Sequence, residues 1–372
     1  MSQSSTLKYY IIAGEASGDL HGANLIRALR AKDPEAEIRA WGGDRMEAAG
    51  ATLVKHYRDL AFMGFVEVLF NLRTILRNLK FCKEDIDAFS PDRLILIDYP
   101  GFNMRIATFA RERGLRVTYY ISPQIWAWKQ NRVYKLKRDV DQMLVILPFE
   151  KDFYARFGVE AHFVGHPLLD ALARRPAFDR NERLQAWGLS PEEPVVALLP
   201  GSRKQEIQTM LPLMLAAIKD HSVAVAMAPS QEEAFYRKIV GRREVKLLAG
   251  QTYDLLEVAD AALVTSGTAT LETALFGVPE VVCYKGNWLS YQIARRLVKV
   301  PYISLVNLIM DREVVKELIQ AQLNRRNLER ELRRCLNKEG RAVFEKDYRL
   351  LKERLGGEGA SAEAARIIVE GI

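Results

Sequence analysis

The chain has 372 residues, of which 49% are hydrophobic and 27% charged, a balance that gives a folded protein a core to bury and excludes a disordered or low-complexity chain. Its length exceeds what a single core usually serves, so two domains are expected. The net charge of +7 suits a phosphorylated ligand, nucleic acid or an anionic membrane surface, and the separated Cys82, Cys283 and Cys335, with no CxxC pair, exclude a disulfide scaffold and a thiolate zinc site.

In chain order, the residues before Glu15 include too few apolar side chains for a signal peptide, and no apolar run of 18 residues predicts a membrane span. Tyr9 to Ala13 reads as a strand, and Leu20 to Ala31 as a helix with Leu20, Ala23, Ile26 and Leu29 on one face. The short apolar runs EIRAWGG (37–43), RLILIDY (93–99), RVTYYIS (116–122) and MLVILPF (143–149) alternate with helical patterns at 70–86 and 103–113. That spacing predicts a parallel sheet covered by helices. After VGHPLLD (164–170), residues up to Pro194 read as a linker with a short helix.

Five further strands are expected at 195–200, 223–228, 245–250, 261–266 and 280–284, with helices over 204–219, 231–239, 252–259 and 269–276. From Arg312 to Arg354 charged and apolar residues recur at helical spacing, and another helix follows the glycine-rich break at 356–359. The expected fold is α/β, with two doubly wound domains at 1–166 and 167–345. Residues 346–372 form terminal helices that could return to the first domain or pack on a second copy, so a homodimer stays open.

Loops at the carboxyl ends of parallel strands are where such folds bind ligands. Two of them, LLPGSRKQEI (198–207) and TSGTATLE (265–272), place Gly, Ser and Thr directly before a helix, where backbone amides can hold a diphosphate. Arg203 could grip a phosphate bidentately or pair with Glu206 on the surface. Glu272, a turn inside its helix, could accept ribose hydroxyls or favour the helix dipole. The Walker spacing and GxGxxG are both absent, which argues against an ATPase or a dehydrogenase.

Asp98, after the strand LILI (94–97), could serve as a general base once burial raises its pKa, or could cap the next helix. Glu15, Asp19 and His21 are further acid–base candidates, with packing or capping early in its helix as the alternative for His21, and His166 before Pro167 could equally be structural or functional. The five histidines, His21, His56, His162, His166 and His221, lack metal-ligand spacing and no DxD-like pair stands out, so no metal is expected. The stretch LAFMGFVEVLFNLRTILRNLKF (60–81) is rich in apolar residues, with Arg73, Arg77 and Lys80 on its later turns and Lys83 just beyond. It fits either a buried helix pair or a lipid surface. Nucleic acid is not an expected partner, because the basic residues are dispersed among acidic ones.

The blocks IAGEASGDLHGANLIRAL (12–29), FMGFVEVL (62–69), LIDYPGFN (96–103), ISPQIWAWKQNRV (121–133), LPFEKDFY (147–154), FVGHPLLD (163–170), LLPGSRKQEI, TSGTATLE and LVNLIMDREVVKELIQ (305–320) resemble, in order, those of the bacterial lipid-A-disaccharide synthases. The resemblance implies an inverting glycosyltransferase of the GT-B type, with two facing Rossmann-like domains, a cleft between them and no cofactor. It implies that UDP-2,3-diacylglucosamine is joined to 2,3-diacylglucosamine 1-phosphate (lipid X), giving a β-1,6-linked disaccharide and UDP, at the cytoplasmic face of the inner membrane. A sugar-nucleotide 2-epimerase shares the two-domain plan, but the lipid-like stretch and IDYPGFN speak against it.

Carried over by motif, Asp98 is the general base, and Arg203 with Gly201 and Ser202 offsets charge on the leaving diphosphate. The helix start at Ser266, Gly267 and Thr268 assists. Glu272 holds the ribose, Asn307 touches the nucleotide sugar, and Glu15, Ser17 and Asp19 line the opposing loop. The resemblance also implies that Phe62, Met63, Phe65, Val66 and Leu69 would meet acyl chains and an anionic membrane.

Overall fold

The computed structural model describes residues 6–60, 72–219, 221–287, 291 and 300–371. Phe62, Met63, Phe65, Val66 and Leu69 lie outside the described residues. The chain forms two compact units, one of Met1–Arg174 with Leu355–Ile372 and one of Arg175–Arg354.

In the first unit the strands are β1 (Lys8–Ala13), β2 (Glu37–Gly42), β3 (Thr52–His56), β4 (Arg93–Ile97), β5 (Val117–Tyr120), β6 (Gln142–Val145) and β7 (Ala161–Phe163). They make one parallel sheet in the order β3-β2-β1-β4-β5-β6-β7. The second unit repeats the plan with β8 (Val195–Leu199), β9 (Ser222–Met227), β10 (Lys246–Ala249), β11 (Ala261–Thr265), β12 (Glu280–Tyr284) and β13 (Lys316–Ile319), ordered β10-β9-β8-β11-β12-β13. Both are Rossmann-like. The central strands are mainly apolar because helices cover both faces, and Tyr9 to Ala13 and Leu263 to Val264 are wholly buried. Each sheet reverses its direction of growth once, between β1 and β4 and between β8 and β11, and ligands bind such sheets at that point.

Three strands go beyond the expected set. Thr52–His56 is only half-buried and Ala161–Phe163 spans three residues, so neither presents a long apolar run. Lys316–Ile319 falls where helix was expected: a four-residue KELI segment fits either period, and pairing with β12 decides it. The stretch read as a linker with a short helix holds helix Arg180–Ala186, capped by Asp179, and a further helix, Pro167–Ala173, capped by His166, begins before it within VGHPLLD.

The terminal helices divide between the units. Helix Lys338–Arg354 belongs to the second, and helix Ala360–Glu370 packs on helix Ala16–Lys32 of the first. Between them Gly359 turns the chain at φ +106°, and Asp170 accepts from the Gly359 and Ser361 amides at 2.6 and 2.8 Å, capping the last helix. Among the described residues no helix is long and apolar enough to cross a membrane.

Glu280 opens β12 fully buried, and among the described residues neither carboxyl oxygen has a hydrogen-bond partner. Burial holds this carboxyl protonated well above the usual range. The native state therefore binds a proton that the unfolded chain releases once pH exceeds the ordinary carboxylate value, and stability falls as pH rises through that window. Glu280→Gln should flatten this decline, read as urea midpoint against pH.

Candidate active site

The switch point of the first sheet carries the acid–base candidates. Ala13 pairs in register with Ile97, so the loops that follow, Gly14–Glu15 and Asp98–Tyr99, leave the sheet side by side. Asp98 and Tyr99 both adopt left-handed backbone, at φ 44° and 48°, which non-glycine residues hold only when their surroundings fix them. Burial pushes the Asp98 carboxyl up to about 7, the nearby Glu15 charge adds to this, and a bond from the Tyr99 amide opposes it. A carboxylate at that value can take a proton near neutral pH. Asp98 does not cap the next helix: Pro100–Glu112 begins at Tyr99 without a side-chain cap.

Gly14 is needed beside it. A Cβ there would lie 2.3 Å from Cγ of Tyr99, whose ring stacks on Phe102 with centroids 5.5 Å apart. Gly14→Ala should lower stability by about 1–3 kcal/mol, measured by denaturant unfolding, because the ring must move out of a packed stack.

The remaining residues of the first loop separate by role. Glu15 is half-buried and Ser17 exposed at the first turn of helix Ala16–Lys32. Asp19 is buried, and its carboxylate accepts from the amides of Gly43 at 2.8 Å, Met46 at 3.0 Å and Arg45 at 3.3 Å. It thus caps helix Asp44–Ala48, with both oxygens engaged. His21 and His166 meet edge to face at 6.4 Å, and burial pushes them down to about 4 and about 3. Neutral His166 accepts from the Leu168 amide as a helix cap.

The switch point of the second sheet joins the two Gly/Ser/Thr loops. Leu199 pairs with Val264, so 200–203 and 266–268 emerge from neighbouring strands. Gly201 sits at φ +109°, and a Cβ there would meet the Glu206 carboxylate at 2.7 Å. Glu206 Oε2 accepts from the amides of Ser202 and Arg203, both at 3.2 Å, and Arg203 pairs with Glu206 at 3.5 Å while two-thirds exposed. The loop thus holds its own carboxylate where an anion would bind, and the surface ion pair weighed from the sequence is present. Gly267 and Thr268 are exposed at the start of helix Thr268–Leu275, and Ser266 Oγ donates to Ile303 O at 3.0 Å. Glu272 accepts from the Tyr253 hydroxyl at 3.2 Å, and burial raises its pKa.

Asn307 is wholly buried and committed. Its Oδ1 accepts from Val314 N at 2.7 Å and Val315 N at 3.0 Å, and its Nδ2 donates to Val315 O and Glu317 Oε1, both at 2.9 Å. These four bonds exhaust the amide, so it shapes the 304–317 segment rather than offering a ligand contact. Sequence reasoning missed Glu150, which is buried, pushed up to about 7 by burial, and bound to the amides of Ile146 and Leu147 and to Trp126 Nε1 at 3.2 Å. The Glu that ends LPFE, third residue of its helix in a helix-start pattern, was the available signal.

A sequence model of the lipid-A-disaccharide synthetase family matches residues 9–370. The chain belongs to this family. The chain is 41% identical over 366 residues to the lipid-A-disaccharide synthase of Syntrophus aciditrophicus, covering 95% of each chain. To that of Geobacter sulfurreducens it is 39% identical, covering 100% of this chain and 98% of the other. Among solved structures, the UDP-GlcNAc 2-epimerase of Neisseria meningitidis bound to UDP-GlcNAc matches with a TM-score of 0.67 at 13% identity, covering 98% and 99%. The calicheamicin glycosyltransferase CalG4 matches at 0.61 and 16%, covering 99% of each. At these identities the likeness concerns the GT-B fold alone, and the synthetase family is assigned by sequence.

Proposed function

We propose that this member of the lipid-A-disaccharide synthetase family joins UDP-2,3-diacylglucosamine to 2,3-diacylglucosamine 1-phosphate with Asp98 as general base. Asp98 takes the proton of the acceptor 6-hydroxyl as that oxygen attacks the anomeric carbon. The bond from this carbon to the β-phosphate oxygen breaks, its electron pair leaves with UDP, and attack from the opposite face inverts the centre to a β-1,6 link. The observation that carries the assignment is a strained, half-buried Asp98 at the first switch point, with its carboxyl pushed up to about 7.

In this reading the loops at 200–203 and 266–268 hold the diphosphate, with Arg203 turning from Glu206 to the phosphate as the Glu206 carboxylate yields its two amides. Glu272 takes the ribose, and Glu15 and Ser17 face the sugar. Asp19 and Asn307 act from behind by fixing loops. Incubation with both substrates tests the function: a β-1,6 disaccharide and UDP are expected, and epimerised UDP-sugar without disaccharide would overturn it.

The membrane reading is supported by helix Leu72–Phe89, where Leu76 and Phe81 are 52% and 44% exposed beside the exposed Arg77 and Lys80. Binding to anionic vesicles should weaken with salt and with polar substitutions at Phe62, Met63, Phe65, Val66 or Leu69. Salt-independent binding, or none, would contradict it.

A further inference from the structure

Asp98 sits in a backbone conformation that needs a cause. Its amide donates to Ile121 O at 3.2 Å, and its carbonyl receives two side-chain donors. The Tyr119 hydroxyl, from β5, donates at 2.7 Å, and Asn103 Nδ2, from helix Pro100–Glu112, donates at 2.8 Å. The same Nδ2 reaches Ile97 O at 3.2 Å and Ile12 O at 3.3 Å, so one amide ties together the ends of β1 and β4 where the sheet reverses. Asn103 and Tyr119 are both buried, and among the described residues Asn103 Oδ1 has no hydrogen-bond partner. Leaving a buried acceptor unmet is costly, so this amide is held in place for its donors.

We infer that Asn103 and Tyr119 are positioning residues that clamp the Asp98 carbonyl and thereby hold Asp98 and Tyr99 left-handed, keeping the Asp98 carboxyl half-buried. Two consecutive left-handed non-glycine residues relax toward ordinary backbone once the bonds that over-determine them go. Relaxation would move the carboxyl toward solvent. The titratable and charged groups around it are Glu15 from the loop after β1, Tyr99 on its own loop and Tyr119 on β5, with Tyr154 and Arg132 beyond Tyr119. None is altered by replacing Asn103, and Tyr119→Phe removes only a hydroxyl that carries no charge at neutral pH. The inference rests on the assignment of Asp98 as base, which it deepens.

The test uses the full chain, with Tyr119→Phe and Asn103→Ala, and reads three quantities: the Asp98 carboxyl titration by carbon-13 NMR, kcat, and KM for the UDP-sugar. The Asp98 titration should move from about 7 toward the ordinary carboxylate range. Misplacement of a catalytic group should lower kcat about tenfold in Tyr119→Phe and about 10²-fold in Asn103→Ala, with KM little changed. Unmoved titration and kcat in folded variants would overturn the inference, even if their melting temperatures fell. If Asn103→Ala does not fold, Tyr119→Phe decides alone, because it keeps the ring and deletes a single donor. Failure of the base assignment is recognised separately, by turnover persisting in Asp98→Asn, and the NMR titration reads the clamp in either case.

Discussion

Replacing Asp98 with asparagine should lower disaccharide formation by about 10²–10⁴-fold, the range a positioned general base contributes, while UDP remains bound. The side chain keeps its size and its place on the strained loop after β4, so packing against Tyr99 and the hydrogen bonds to the Asp98 carbonyl have no reason to change. What is lost is the acceptor for the 6-hydroxyl proton. UDP binding should survive because the loops proposed to hold the diphosphate belong to the second unit. Calorimetric titration with UDP beside the disaccharide assay checks both halves; wild-type turnover in the variant would remove Asp98 from the mechanism.

Arg203→Ala should lower kcat/KM by about 10²–10³-fold, the usual effect of deleting one group that meets developing charge. Two-thirds exposed and paired with Glu206 at 3.5 Å, the guanidinium contributes little to folding here, since exposed ion pairs stabilise weakly. Stability should therefore stay near that of the parent chain while transfer and UDP affinity fall. Arg203→Lys should recover only part of the rate, because an ammonium cannot make the bidentate contact. Unchanged kinetics in Arg203→Ala would take this residue out of the site.

Much of this was legible in the sequence because parallel strands covered on both faces are written as continuous apolar runs, such as YYIIA and LILI, each ending in a loop of polar and small residues. The positions of Asp98, Glu15, Gly201 and Ser266 at two switch points follow from those runs and the sheet order. Short or edge strands such as Thr52–His56 and Lys316–Ile319 carry too little pattern to separate strand from helix. Roles set by hydrogen-bond partners outside the local motif were not legible either. Asp19 looks like a loop carboxylate until the amides at 43–46 are seen to engage it, and Asn307 looks like a ligand contact until its four bonds are counted. Asn103 stands in the same motif as Asp98, yet its link to Ile12 and the part played by Tyr119 arise only when β1, β4 and β5 lie together.

The pH dependence of kcat/KM tests the central claim most directly. With Asp98 as a base pushed up to about 7 by burial and by Glu15, kcat/KM should rise about tenfold per pH unit below that value and level off above it. The residual rate of Asp98→Asn should lack this limb. A limb at the ordinary carboxylate value, or the same limb near 7 persisting in Asp98→Asn, would contradict the account.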